Sequence, residues 1–439
     1  MKKYLIFSIL FSTLCFSQET LTLEQAIEYG LNNNHNIKIV KNDASIIKNI
    51  NHIGATGILP NISITSGYNG AINNAELEFN SFLDFGGDMD SNIDASQAKS
   101  ANLSSSITLR HRLFNGFNGM YTLHKFKKQN EIADENIRYQ IETEILNIIQ
   151  QYYDVCNREN IYNTFKKTYK ISNERYQQAL DKKSYGAIST LSLLNAETNL
   201  NQDKINMEEA LIGLKEAKLN LSLLIDVPDS IINIEHEFIF NNSLDIDDLI
   251  KKTLDNNASI VIAHLNYGIA TDELKIAKAN FTPTIDLFSS YSYNNRKSET
   301  SFISQQKDYG VIAGINIEIP VFSANMKRKN YQNAKINLDS KAASLAYMKK
   351  TIRTTLLKAY YNYTSSLKNL ELLRKNLETL EKTAQMNREL YDMGQITNLE
   401  YRESQILLDQ AEINYSSKLA LTKIQEYIIY QLSGQLHTK

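Results

Sequence analysis

The chain is poor in everything that interrupts a helix. Its 439 residues hold only 4 Pro and 16 Gly, which excludes a turn-dense β-sandwich and a low-complexity disordered chain. Trp is absent, although 25 Tyr and 16 Phe supply ample aromatic surface. Lys and Arg number 47 against 49 Asp and Glu, a net charge of −2. That balance lacks the basic footprint of a nucleic-acid binder, so no such partner is expected. Past the N-terminus no apolar run reaches 18 residues, so no transmembrane helix is expected. The seven His fall at 35, 52, 111, 124, 236, 264 and 437, without HExxH or other ligand spacing. GxSxG, Walker A and GxGxxG motifs are likewise missing. No metal, no cofactor and no catalytic residue is expected, and the chain does not read as an enzyme.

Cysteine is scarce too, with only 2 in the chain. Residues 1–17, MKKYLIFSILFSTLCFS, join a basic start at Lys2 and Lys3 to an apolar stretch from Tyr4 to Phe16. That stretch is too short to span a bilayer, and Cys15 and Ser17 place small residues before Gln18, as signal-peptide cleavage requires. Leu14 stands where a lipoprotein signal wants a small residue, which argues against a lipid anchor at Cys15. Cleavage would leave 45 basic against 49 acidic side chains, a charge of −4. It would also leave Cys156 alone, so the exported chain has no internal disulfide. In a helical stretch a lone Cys reads as a small buried hydrophobe.

What is present is a duplication. Segment 21–69 matches segment 244–292 at a constant offset of 223, pairing Leu21/Leu244, Ile27/Ile250, Asn33/Asn256, Pro60/Pro283 and Tyr68/Tyr291. From about residue 107 a second offset, 208, pairs Ile107/Ile315, Phe114/Phe322, Tyr152/Tyr360, Gly186/Gly394, Leu191/Leu399 and Leu224/Leu432. The shift of 15 falls between residues 70 and 105, where the first half has the longer loop. Pro228 marks the linker between the halves.

Each half opens with two short helices that end before Pro60 or Pro283. Alternation follows: Ile62, Ile64 and Tyr68 with Ser63, Thr65 and Asn69, then Leu103, Ile107, Leu109 and Leu113 with polar partners between them. The second half repeats this with Ile285, Leu287, Tyr291 and Tyr293, then Val311, Ala313, Ile315, Ile317 and Ile319. A period of two predicts strands with one apolar face, each about 9–12 residues, the length of a tilted membrane strand. An ordinary half-buried hairpin alternates identically, so alternation alone does not separate the two.

Residues 120–185 and 321–393 contain no Gly and no Pro. A continuous helix over the first would be about 100 Å long, with Ala133, Ile137, Ile141, Ile145, Ile148, Tyr152 and Val155 on one face. The helices that follow carry two heptad stripes. One is Leu193, Leu200, Met207, Leu214 and Leu221; the other is Leu191, Thr198, Ile205, Ile212 and Leu219. The second half repeats both, as Tyr401, Leu408, Tyr415, Thr422 and Ile429, and as Leu399, Ile406, Ile413, Ala420 and Tyr427. A helix with one partner needs one stripe; a helix in a closed ring needs two. A four-helix bundle with broad apolar faces is the alternative. Four strands cannot close a barrel, and an open edge is not viable in lipid, so membrane hairpins would require several chains.

LTLEQAIEYGLNNN with ILPNISITSGY, RLFNG and IPVFSAN at the strand ends, and the Tyr pairs at 152–153 and 360–361 together resemble the TolC family of outer-membrane efflux channels. The turn motifs YGAISTLSLLNAETNL (185–200) and YDMGQITNLEYRESQ (391–405) fit as well. The resemblance covers essentially the whole mature chain. It implies a mainly α protein with a membrane β-barrel, an internally duplicated protomer whose homotrimer forms a 12-stranded barrel continued by a 12-helix periplasmic α-barrel. The expected organisation is a signal peptide over 1–17, a first repeat over 18–227 (β-hairpin about 61–113, long helices 118–224), a linker over 228–243, and a second repeat over 244–439 (β-hairpin about 284–321, long helices 324–432).

By the same resemblance the protein is a passive exit duct in the outer membrane, in contact with outer-membrane lipid. It would serve a tripartite efflux or type I secretion system with a periplasmic adaptor protein and an inner-membrane transporter. Glu400 and Glu403 match positions where acidic side chains ring the pore constriction, and Tyr391 matches a gate-bonding tyrosine. Gly186, Ala187 and Ile188, with Gly394, Gln395 and Ile396, would form the periplasmic tips that dock the adaptor. Two positions depart from the family pattern: Ile396 stands where an Arg is expected and Ser192 where an Asp is expected, which puts the usual closure of the tip in doubt. The acidic loop holding Glu76, Glu78, Asp84, Asp88, Asp90 and Asp94 lacks regular calcium-loop spacing and reads as solvated. The competing expectation is an exported, non-conducting helical scaffold or binding protein.

Overall fold

A computed structural model describes residues 20–78, 92–229, 232–299, 301 and 303–436. The signal segment and most of the acidic loop lie outside these. In chain order the elements are α1 (Leu23–Asn33), α2 (His35–Ile50), β1 (Asn61–Glu78), β2 (Asn92–Phe114), α3 (Asn118–Ser184) and α4 (Thr190–Ile225). After the linker come α5 (Ile246–Asn256), α6 (Ala258–Ala279), β3 (Thr284–Ser298), β4 (Gln305–Glu318), α7 (Met326–Asp392) and α8 (Asn398–Leu432). The second half repeats the α-helices and strands of the first in the same order, while a 3-10 turn at Ile53–Thr56 occurs in the first alone among the described residues. Both Gly- and Pro-free stretches are single helices of 67 residues.

The chain divides into two compact units, each drawn from both halves of the sequence. One comprises residues 45–132 and 264–344. It contains a four-stranded antiparallel sheet in the order β1-β2-β3-β4. Register places Ile64 opposite Ile107, Ile107 opposite Tyr291, and Tyr291 opposite Val311, so the apolar alternations fall on one face. Large side chains on that face stand in the open, among them Ile62, Ile64, Tyr68, Val311 and Ile315. Hydroxyls landing there satisfy each other, as Ser66 and Ser105 do at 2.8 Å. The strands run 18, 23, 15 and 14 residues, longer than the 9–12 expected. The apolar alternation stops early, but Ser, Asn, Gln and charged residues continue the backbone ladder beyond it.

At the strand-to-helix junctions of this unit the repeats differ. Gly116 and Phe117 precede α3 with φ of 67° and 66°; their counterparts Ala324 and Asn325 precede α7 at 48° and 63°. Both pairs are left-handed, although only the first repeat has a glycine there.

The other unit comprises residues 1–44, 133–263 and 345–439. Its larger core is built from the predicted face of α3, including Ile145, Ile148, Tyr152 and Val155, against Leu214, Leu221 and Ile225 of α4. Cys156 is wholly buried in this core, and burial pushes its thiol pKa up to about 12. It is therefore a packing residue rather than a nucleophile. The linker folds back as Leu21 and Ile234 form a parallel bridge. A smaller core gathers Leu249, Leu356, Tyr363 and Ile429.

The two stripes of α4 separate in space. Leu214 and Leu221 are buried and Leu193, Leu200 and Met207 half-buried, whereas Leu191, Ile205, Ile212 and Leu219 are 67, 50, 56 and 54% exposed. On α8 the first stripe is covered throughout; the second is uncovered at Leu399 and Ile406 and covered from Ile413 onward.

Candidate functional site: the two helix turns

The turns joining α3 to α4 and α7 to α8 share one backbone design. Gly186 and Gly394 close their helices at φ of 75° and 73°. Gly186 N donates to Lys183 O at 3.0 Å and Ala187 N to Lys182 O at 2.8 Å. In the second turn Gly394 N donates to Tyr391 O at 2.9 Å and Gln395 N to Leu390 O at 2.8 Å. This is the paired hydrogen bonding of a left-handed helix terminus. A side chain at either glycine would meet no atom within 4 Å, so the dihedral alone calls for glycine. Ala187 and Gln395 are exposed; Ile188 and Ile396 are half-buried.

The helices leaving the turns are capped by hydroxyls. Ser189 Oγ accepts from Ser192 N at 3.1 Å. Thr397 Oγ1 accepts from Glu400 N at 3.3 Å, and the Glu400 carboxylate accepts from Thr397 N and Oγ1 at 2.7 and 2.8 Å. These backbone and hydroxyl donors hold the Glu400 carboxyl below its ordinary pKa. Within one chain, then, Glu400 is the reciprocal half of a capping box. Glu403, one turn further on, is exposed.

Tyr391 belongs to a cluster that joins α3, α7 and α8. Its ring stacks on Tyr401 with centroids 5.2 Å apart. The Arg175 guanidinium of α3 lies 5.4 Å from the Tyr391 ring centre and 4.5 Å from that of Tyr401. Arg175 Nη1 donates to Gln405 Oε1 at 2.7 Å, and Nη2 donates to Asn398 Oδ1. A second arginine crosses the other way. Arg402 of α8 grips Asp203 of α4 with both nitrogens, at 2.5 and 2.7 Å, and Ser172 Oγ of α3 donates to the same carboxylate. Asp203 is 1% exposed, so this is a buried, bidentate ion pair.

Further along the α3 and α8 seam, Thr168 Oγ1 donates to Asp409 Oδ1 and Oδ2 at 2.8 and 2.9 Å. Thr164 Oγ1 donates to Glu412 at 2.9 Å. Burial pushes the Asp409 pKa up to about 6, against the lowering effect of Thr168.

Of the residues singled out in the sequence, Tyr391, Ile188 and Ser192 line one cleft beside Arg175. Glu400, Glu403, Gln395 and Ile396 are not among its lining. Arg175, Asp203, Arg402 and Asp409 were not picked out. One of them left a signal: Ala196, Asp203, Ala210 and Ala217 form a heptad row on α4, and an acid in a row of small residues marks a buried partner. Among the described residues, no group of three His, Cys, Asp or Glu side chains could hold a metal ion.

Residues 249–435 match the family model described as outer membrane efflux protein. The chain is 20% identical over 352 residues to the outer membrane protein TolC of Escherichia coli, covering 77% of this chain and 70% of that one. The TolC protein of Salmonella enteritidis is 20% identical over 354 residues, with the same coverage. In fold, the chain resembles the Campylobacter jejuni CmeC outer membrane channel with a TM-score of 0.78 at 15% identity, over 94% of this chain and 86% of the other. The open state of the Neisseria gonorrhoeae MtrE outer membrane channel gives 0.70 at 14% identity, over 94 and 89%.

Proposed function

On the premise that this chain is an outer membrane efflux protein of the TolC family, which the family match, the sequence relatives and the shared fold together indicate, we propose that three copies assemble into a passive exit duct. Its place is the outer membrane, with a periplasmic portion. The proposed duct carries small molecules or peptides outward from an inner-membrane transporter and a periplasmic adaptor, in a tripartite efflux or type I secretion system.

The observation that carries this reading is the uncovered second stripe of α4. Four large apolar side chains at heptad spacing stand open in the single chain, and a neighbouring copy would cover them. The sheet supports the same conclusion, because β1 and β4 each pair on one side only among the described residues. Three copies of four strands would supply twelve and leave no edge in lipid. Every strand exceeds the ~9–11 residues needed to cross the hydrocarbon core, and the outward apolar face would contact lipid.

The tips hold the proposed selectivity and docking residues. Six carboxylates from Glu400 and Glu403 in a trimer would favour cations at a narrow point. Gly186, Ala187, Ile188, Gly394, Gln395 and Ile396 would meet the adaptor. Since Ile396 and Ser192 lack the charged groups the family pattern places there, Arg175 and the Arg402–Asp203 pair tie the two helical hairpins instead. The mass of the detergent-purified protein tests the assembly: a trimer is expected, and a stable monomer would refute it.

A further inference from the structure

Arg175 is a cation without a counter-charge. Its contacts are the amide oxygens of Gln405 and Asn398 and the faces of two tyrosine rings, all neutral. Burial lowers its pKa, the mark of a charge withdrawn from water. The cleft beside it holds about 180 Å³ and carries a second cation, Lys182, with Gln178, Asn199 and Ser192 as further polar walls and no carboxylate in its lining. Among the described residues neither Arg175 nor Lys182 forms an ion pair. A desolvated cation without a partner is costly, and an anion placed beside it recovers that free energy. Two of the five guanidinium donors are engaged in hydrogen bonds here, which leaves donors for a carboxylate.

The volume is below the ~300 Å³ of ordinary small-molecule pockets and suits a single side chain. The two turns beside it present further apolar side chains to solvent: Tyr185 is 87%, Met393 62% and Leu399 77% exposed. A free anion would satisfy the cleft and leave these uncovered. A protein segment with one acidic side chain flanked by aliphatic ones would satisfy both.

We propose that the cleft between α3, α4 and the α7–α8 turn is a docking socket for a carboxylate side chain on a partner protein segment, with Arg175 and Lys182 as its cationic wall and Tyr185, Met393 and Leu399 as the apolar surface beside it. The inference rests on the tips being the periplasmic docking end, and it adds the chemistry the partner presents there.

The test uses the detergent-purified full chain and a fluorescent stapled helical peptide with one central Glu flanked by Leu, beside its Gln analogue. The Glu peptide is expected to bind about tenfold tighter by anisotropy, with the preference shrinking as salt rises. Lys182→Gln is expected to remove most of that preference. Lys182 is exposed, so this variant keeps its melting temperature, whereas Arg175→Gln risks the fold. Equal binding of the two peptides overturns the proposal. So does a site that takes free glutarate, measured by calorimetry, while showing no preference for the Glu peptide. Channel conductance tests the duct separately, so a conducting protein without a Glu preference sinks the socket alone.

Discussion

Tyr152 and Tyr360 do the same work 208 residues apart. The Tyr152 hydroxyl lies 2.9 Å from Leu21 O and 3.0 Å from Glu235 O, and the Tyr360 hydroxyl lies 3.4 Å from Leu244 O. Leu21 and Leu244 are themselves equivalent, at the other offset, 223. The two sequence offsets therefore meet in one contact, a tyrosine on a long helix holding the backbone that opens each repeat. Tyr152 is 2% exposed, so Tyr152→Phe leaves buried carbonyls without this donor at a cost of about 1–3 kcal/mol. Tyr360→Phe should cost less, its bond being longer and its site more open. Amide exchange at residues 21–24 and 232–236 should quicken in Tyr152→Phe and stay unchanged in Tyr360→Phe.

The Arg402–Asp203 pair should behave as a buried ion pair does. Asp203→Asn leaves the guanidinium uncompensated and is expected to cost about 3–5 kcal/mol. Replacing both partners, Asp203→Leu with Arg402→Met, should recover most of the loss. Chemical denaturation of the three variants gives the comparison. A double variant as unstable as Asp203→Asn would mean that the network around Ser172 needs both charges.

These contacts show what the sequence disclosed and what it concealed. The duplication, the 67-residue helices and the glycine turns were legible because Gly, Pro and repeat spacing act locally. The stripes of α4 were legible as pattern, although only the structure tells which is inward. Arg175 was not legible. On a highly charged helix an arginine reads as solvated, and its partners lie 216 to 230 residues away. Glu400 is singled out by its match to an acidic position of the family pattern, while its hydrogen bonds within the chain are those of a helix cap. The strands outran their expected length because backbone pairing does not need apolar side chains.

Acidity should strengthen the α3–α8 seam. Asp409 has its pKa raised to about 6, above the ~3.9 of an unfolded aspartate. Ionisation is thus harder in the folded chain. The penalty is absent below about pH 4, grows as pH rises, and is complete above about pH 6, where it reaches about 3 kcal/mol. Asp409→Asn should remove it, raising the melting temperature at pH 7.5 and flattening its slope between pH 4 and 7. An unchanged slope would mean that Asp409 is solvated.

The first residue of the junction before α7 stores strain that its counterpart, Gly116, avoids. Ala324 holds a φ of 48°, which a glycine takes without penalty, so Ala324→Gly should stabilise by up to about 1 kcal/mol. Gly116→Ala should do the opposite and more. Its new Cβ would stand 2.0 Å from Thr282 Oγ1 and 2.8 Å from Ala279 O. Melting temperatures of the two variants should move in opposite directions.

Conductance of the purified protein in a planar lipid bilayer, under a salt gradient, is the most direct test of the duct. The expected result is a single-channel current whose reversal potential shows cation preference, with that preference reduced when Glu400→Gln and Glu403→Gln are combined. A protein that inserts no channels, or that remains a soluble monomer without detergent, would contradict the account and leave an exported helical scaffold in its place.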